Sequence, residues 1–191
     1  MAEMPITRAR RRFAMAKQRR EITAYHEAGH AVVAHRLHVR VKSVTIRPDV
    51  GASGMTKLDS RYSNNDKQVL ITLAGPYAQR RFAPHSRWRS SSTSGVTLNS
   101  GWDFDTVTGL IYDEHGNGDA ARFYRRYAEA KAKQRVDDWW RHIEAVAKAL
   151  LERETLTGTE MSQVILNDIR NRKLPRRATD APAKIAKKLG Q

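Results

Sequence analysis

The sequence predicts a mainly α domain of the α+β class, with helices surrounding one small antiparallel β element. Three observations carry this expectation. Apolar residues recur at helical spacing over 21–37, 66–82, 103–115 and 119–154. One stretch with β character, 41–48, is followed after a break at Gly51 and Gly54 by a short return segment. Thr157 and Glu160 form a T-x-x-E capping box that opens a last helix.

Taken in order, EITAYHEAGHAVVAHRL (21–37) places Ala24, Ala28, Ala31, Val32 and Leu37 on one helical stripe. Val41, Val44 and Ile46 mark a strand that Pro48 closes, and Met55–Leu58 returns as its partner. Ser63–Asn65 supplies a cap for a helix through DKQVLITLAGPYAQRRF (66–82). Pro76 inside that pattern predicts a kink, because proline lacks the N–H and crowds the preceding turn. Residues 84–101 are rich in Ser, Gly and Pro and read as a loop. DFDTVTGLIYDEH (103–115) forms a helix stopped by Gly116-Asn117-Gly118, and 119–154 forms one or two more. EMSQVILNDIRN completes the fold, and Pro175 with the 182–184 Pro-Ala-Lys segment ends ordered structure near residue 172.

The charge is unevenly placed. The 191 residues hold 35 Lys+Arg against 20 Asp+Glu, a net +15. Residues 1–20 and 171–191 each carry seven basic groups and one acid, so each end holds +6 and the body between them only +3. The expected organisation is a basic tail over 1–20, a domain over 21–171 and a second basic tail over 172–191. Such tails attract nucleic acid non-specifically through counterion release. They offer only Phe13 for stacking on a base, so solvated termini are the simpler reading. The absence of Cys excludes disulfides, thiolate metal sites, Fe–S clusters and a Cys nucleophile. No apolar run approaches the ~20 residues that span a bilayer, and the basic N-terminus lacks the apolar core of a secretory signal. The expectation is a cytoplasmic protein with no membrane contact.

His26-Glu27-Ala28-Gly29-His30 is an H-E-x-x-H motif on the first helix. At ~100° per residue, His30 returns to within about 40° of His26, so the two imidazoles share a face and can share a metal. Glu27 lies beside them, placed to take a proton from water rather than to bind the ion. Imidazole suits zinc, and a carboxylate would complete three protein ligands with one open position. The Gly and His that a metzincin needs further along the helix are replaced by Val33 and Arg36. A Glu ligand on a following helix is poorly supported, because no Glu occurs between Glu27 and Glu114. Asp remains, and Asp103-Phe104-Asp105 opens a helix after the Gly/Ser-rich loop. Other candidates read as ordinary residues. His35 and His38 suit the surface, His115 a helix end, Asp105 solvent, Trp139-Trp140 packing and Ser90–Ser94 a loop without a base-paired nucleophile.

Several segments resemble one known family together. TAYHEAGHAVVA (23–34), VKSVTIRPDVGASGMTKL (41–58), LITLAGPYAQRRF (70–82), DFDTVTGLI (103–111) and HIEAVAKALLERETLTGTEM (142–161) follow, in register over about 21–170, the peptidase domain of the FtsH-type ATP-dependent zinc metalloproteases. The resemblance implies a helical zincin-like domain with Zn2+ held by His26, His30 and Asp103 and with Glu27 as general base. Asn99-Ser100-Gly101-Trp102 stands where the family has its Gly-rich approach to that Asp. The family carries a membrane anchor and an AAA+ ATPase ahead of this domain. The sequence has neither an apolar span nor a G-x-x-x-x-G-K-[ST] loop, so a stand-alone peptidase unit is expected.

The functional expectation is a metalloendopeptidase that hydrolyses peptide bonds in unfolded or flexible polypeptide. An extended substrate could add to a strand edge near Gly54, Met55 and Thr56. A separate AAA+ ATPase is a possible partner, and the family's hexamers imply a homo-oligomer. The competing expectation is a catalytically silent peptidase-like module, regulatory or nucleic-acid-associated, acting through its basic tails.

Overall fold

The computed structural model describes residues 8–48, 53–59, 64–84 and 100–171. The described elements are α1 (Arg8–Arg36), β1 (Val41–Thr45), β2 (Met55–Leu58), α2 (Asn65–Phe82), α3 (Ser100–His115), α4 (Asp119–Asp138), α5 (Trp140–Arg153), β3 (Thr155–Thr157) and α6 (Gly158–Asn171). The fold is mainly α with one antiparallel sheet in the order β2-β1-β3. The expected turn at Gly51, the cap at Ser63, most of the 84–101 loop and the C-terminal tail from 172 lie outside the described residues.

Helix α1 begins thirteen residues before the expected start at Glu21. From Arg8 to Arg20 every described side chain is exposed, whereas Ile22, Ala24, Tyr25, Ala28 and Ala31 to Ala34 are buried. The first half buries no apolar face, so periodicity is silent there. Arg, Ala, Met, Lys and Gln are strong helix formers, and they extend a helix already nucleated by packing.

Helix α2 starts at an Asn64 cap, whose side chain accepts from the Lys67 N–H at 3.0 Å. It runs through Pro76 to Phe82. Small residues let α1 and α2 approach closely: a Cβ on Gly29 would come within 2.7 Å of both Ala74 O and Ala78 Cβ. Gly29 therefore serves the helix crossing. At one end of the crossing Tyr25 stacks on Phe82, with ring centroids 3.8 Å apart.

The 119–154 stretch resolves into α4 and α5, separated at Trp139. Trp139 and Trp140 pack as expected, each against an arginine: the Arg135 guanidinium lies 5.1 Å from the Trp139 ring and that of Arg81 4.5 Å from Trp140. Glu154, at φ 62°, turns the chain out of α5 and into β3. The sequence analysis did not anticipate this third strand, since three residues carry too little alternation to read. Its buried Leu156 sits opposite Val44. The capping box then forms as expected. Thr157 N–H donates to Glu160 Oε2 at 2.8 Å, and Glu160 N–H to Thr157 Oγ1 at 3.2 Å.

Burial divides into two clusters. One joins α1, the sheet, one face of α2, α5 and α6 through residues such as Val32, Val44, Ala74, Ile143, Leu150 and Ile165. The other joins α2, α3 and α4 through Val69, Leu73, Phe104, Val107, Ile111 and Ala132. Each fully buried Leu or Ile contributes about 1.5–3 kcal/mol relative to exposure. Tyr77 packs against both clusters.

Candidate metal centre

The three residues singled out as ligands meet at the junction of α1, α2 and α3. His26 Nε2 lies 3.0 Å from Asp103 Oδ2, His30 Nε2 lies 3.6 Å from Asp103 Oδ1, and the two Nε2 atoms are 3.0 Å apart. Helical spacing brings the histidines together, and α3 presents Asp103 in its first turn, where a carboxylate is favoured by the helix dipole. Side-chain exposure is 3% for His26, 11% for His30 and 17% for Asp103, so the cluster is shielded but reachable. Among the described residues it is the one group of three His, Cys, Asp or Glu with ligand atoms close enough to share an ion.

The outer ring nitrogens fix the tautomers. His26 Nδ1 donates to Gln79 Oε1 at 3.1 Å, and His30 Nδ1 donates to the Ile71 carbonyl at 2.8 Å. With those protons on Nδ1, both Nε2 atoms turn inward. His26 Nε2 then offers a lone pair to Asp103 Oδ2, a buried oxygen that makes no hydrogen bond despite the 3.0 Å separation. Two electron-rich atoms face each other with no proton aligned between them, and a cation resolves that arrangement. The separations of 3.0–3.6 Å also bracket the about 3.3 Å between ligand atoms of a tetrahedral zinc with ordinary bond lengths. The residues present fit a zinc ion.

Electrostatics agree. Burial would lower the pKa of His30, but the charge and hydrogen bond of Asp103, with Glu27 and the Ile71 carbonyl, raise it to about 9. Burial would raise that of Asp103, but the two histidines hold it well below the usual carboxylate range. The three groups thus favour positive charge at their centre, and a dication bound there would displace protons from the imidazoles.

Glu27 is 3% exposed and points toward β2. Thr56 Oγ1 donates to its Oε2 at 2.9 Å and lies 3.2 Å from its backbone carbonyl. A Cβ on Gly54 would approach Glu27 Cγ to 2.8 Å and Oε1 to 2.9 Å. Among the described residues β2 pairs with β1 alone and lies at an edge of the sheet. Met55 is exposed there.

Sequence reasoning missed the contribution of α2. Gln79, buried at 1% exposure, holds His26; Ile71 holds His30; a Cβ on Gly75 would collide with the His30 ring at Nε2. The spacing of Ile71, Gly75 and Gln79 by four was the available signal, one face of one helix turned to the motif. The remaining candidates stay apart from the centre. Asp105 and His38 are exposed, His35 is half-buried, and His115 packs on the Tyr124 ring at 4.3 Å.

The chain is similar to proteases named for ATP and zinc. It is 28% identical over 200 residues to "ATP-dependent zinc metalloprotease FtsH 2" of Methylacidiphilum infernorum, an alignment covering 82% of this chain and 30% of that protein. It is 29% identical over 194 residues to FtsH of Thermus thermophilus, covering 82% and 31%. To FtsH 3 of Symbiobacterium thermophilum it is 28% identical over 211 residues, covering 89% and 32%. The chain spans about a third of the length of these curated relatives. No protein-family model matches it. Among the described residues no helix is long and apolar enough to cross a membrane.

Proposed function

From its relation to the FtsH-type zinc metalloproteases, we propose that the chain is a zinc-dependent metalloendopeptidase acting on unfolded or flexible polypeptide. The observation that carries the reading is the convergence of His26, His30 and Asp103 with both imidazoles turned Nε2-inward and one Asp103 oxygen left without a hydrogen bond. These three side chains would hold the ion. When bound, zinc supplies Lewis acidity, polarising a peptide carbonyl and acidifying water.

The chain's own groups do the rest. Gln79 and the Ile71 carbonyl orient the imidazoles. Glu27, beside His26 and buried, accepts the proton of the attacking water and returns it to the departing amine, so the carboxylate ends as it began. The edge of β2 at Gly54, Met55 and Thr56 binds the substrate backbone as an added strand, which selects extended, unfolded segments. The Asp103 assignment distinguishes this centre from one using Asp105, whose side chain is exposed.

The substrate is polypeptide, a separate AAA+ ATPase would feed it folded proteins, and the setting is cytoplasmic. Self-association into a homo-oligomer is compatible with this role, and the basic tails at 1–20 and 172–191 flank the 21–171 domain. The test is metal content and cleavage of a reduced, alkylated protein. The expected result is about one zinc per chain and chelator-sensitive cleavage that Glu27→Gln abolishes with zinc retained. Salt-sensitive DNA binding that disappears when the tails are trimmed, without any cleavage, would instead support the silent module.

A further inference from the structure

We propose that Thr56 is a positioning residue for the general base: it anchors Glu27 through Oε2, so that Oε1 is the oxygen that carries the proton in peptide hydrolysis. The inference rests on the peptidase reading but concerns a contact that the chain itself makes.

Three observations converge on it. The Thr56 hydroxyl has one proton and two acceptors within reach, Glu27 Oε2 at 2.9 Å and the Glu27 carbonyl at 3.2 Å. The shorter contact, to an ionised carboxylate, is the stronger. Oε2 is therefore engaged by a donor that fixes the carboxylate's orientation. The other oxygen is treated differently: Oε1 faces Gly54, where a Cβ would stand 2.9 Å away, so the absent side chain keeps that oxygen clear. Finally, Gly54 immediately precedes β2 and Thr56 lies in it, on the strand whose outer edge is proposed to take the substrate. The strand that aligns the scissile bond thus also grips the base, so the two reacting partners share one rigid frame.

The proton balance is simple. Oε1 takes a proton from water as the water oxygen bonds to the carbonyl carbon. The C–N bond breaks, Oε1 delivers the proton to the amine, and Oε2 keeps its bond to Thr56 throughout.

The experiment compares wild type, Thr56→Val and Thr56→Ser as full chains. Valine matches threonine in shape and exchanges the hydroxyl for a methyl; serine restores the hydroxyl. Three quantities are read: the zinc dissociation constant by competition with a chromophoric chelator, kcat and KM on a flexible fluorogenic peptide, and the Glu27 rotamer in crystals of the metal-free variants. For Thr56→Val the expected result is zinc affinity within about twofold of wild type, unchanged KM, kcat reduced at least about tenfold and a Glu27 side chain turned away from its present position. Thr56→Ser should recover kcat to within about threefold. An unmoved Glu27 in Thr56→Val, undiminished kcat, or a loss that serine fails to restore overturns the proposal. Wild type that binds zinc but cleaves nothing overturns the peptidase reading instead, and the rotamer comparison still decides the role of Thr56.

Discussion

Two carboxylates two positions apart, Asp103 and Asp105, make the sharpest test at the scale of single residues. Asp103→Ala should empty the site of zinc, whereas Asp105→Ala should leave it filled, as read by metal analysis of purified protein. Gln79 matters almost as much, because its amide oxygen is what keeps the His26 proton on Nδ1. Gln79→Leu should weaken zinc binding by roughly 10–100-fold, with Gln79→Glu retaining affinity, both measured by chelator competition. The sequence showed His26, Glu27 and His30 plainly, since an i, i+4 pair on a helix needs no tertiary information to share a face. It narrowed the third ligand to an Asp and needed family register to select between neighbours. It did not show Gln79 or Thr56, because a buried amide and a strand hydroxyl acquire their roles only from what the fold sets opposite them.

Helix α2 sets the motif within a packed element rather than leaving it as five letters. Its residues 71, 75 and 79 form the wall against which the imidazoles rest, and only glycine fits at 75. Gly75→Ala should displace the His30 ring, costing about 1–3 kcal/mol from overpacking and most of the zinc affinity; thermal melts with and without zinc separate the two effects. The capping box of α6 shares no residue with the site and can be tested separately. Thr157→Ala should cost about 1 kcal/mol of stability and leave zinc binding intact. The pKa of Glu160 is depressed by hydrogen bonds to the Thr157 backbone and hydroxyl. Its contribution is present above the ordinary carboxylate pKa and is lost as pH falls through the depressed folded value. The Thr157 amide should therefore lose exchange protection on acidification in wild type, with Glu160→Gln insensitive. Element boundaries read correctly where a cap or an apolar stripe marked them, as at Asn64 and Thr157. They failed for α1, whose first thirteen residues are held helical by continuity and propensity alone, and for β3, which is too short to show a period.

Over the whole molecule, the proposed ligands come from elements of both packing clusters. The histidines stand on α1, in the cluster built with the sheet, α5 and α6; Asp103 stands on α3, whose Phe104 and Val107 belong to the other. Zinc in hundredfold excess over its dissociation constant should raise stability by about 2.7 kcal/mol, and His26→Ala should abolish that gain in calorimetry. An ion seated there is a clasp across a seam. Whatever pries α3 from α1 would also evict the metal, and chelation would in turn slacken α3 against the helices it faces. Amide exchange should then quicken in α3 while α5 and α6 stay quiet, making the same atom both reagent and rivet.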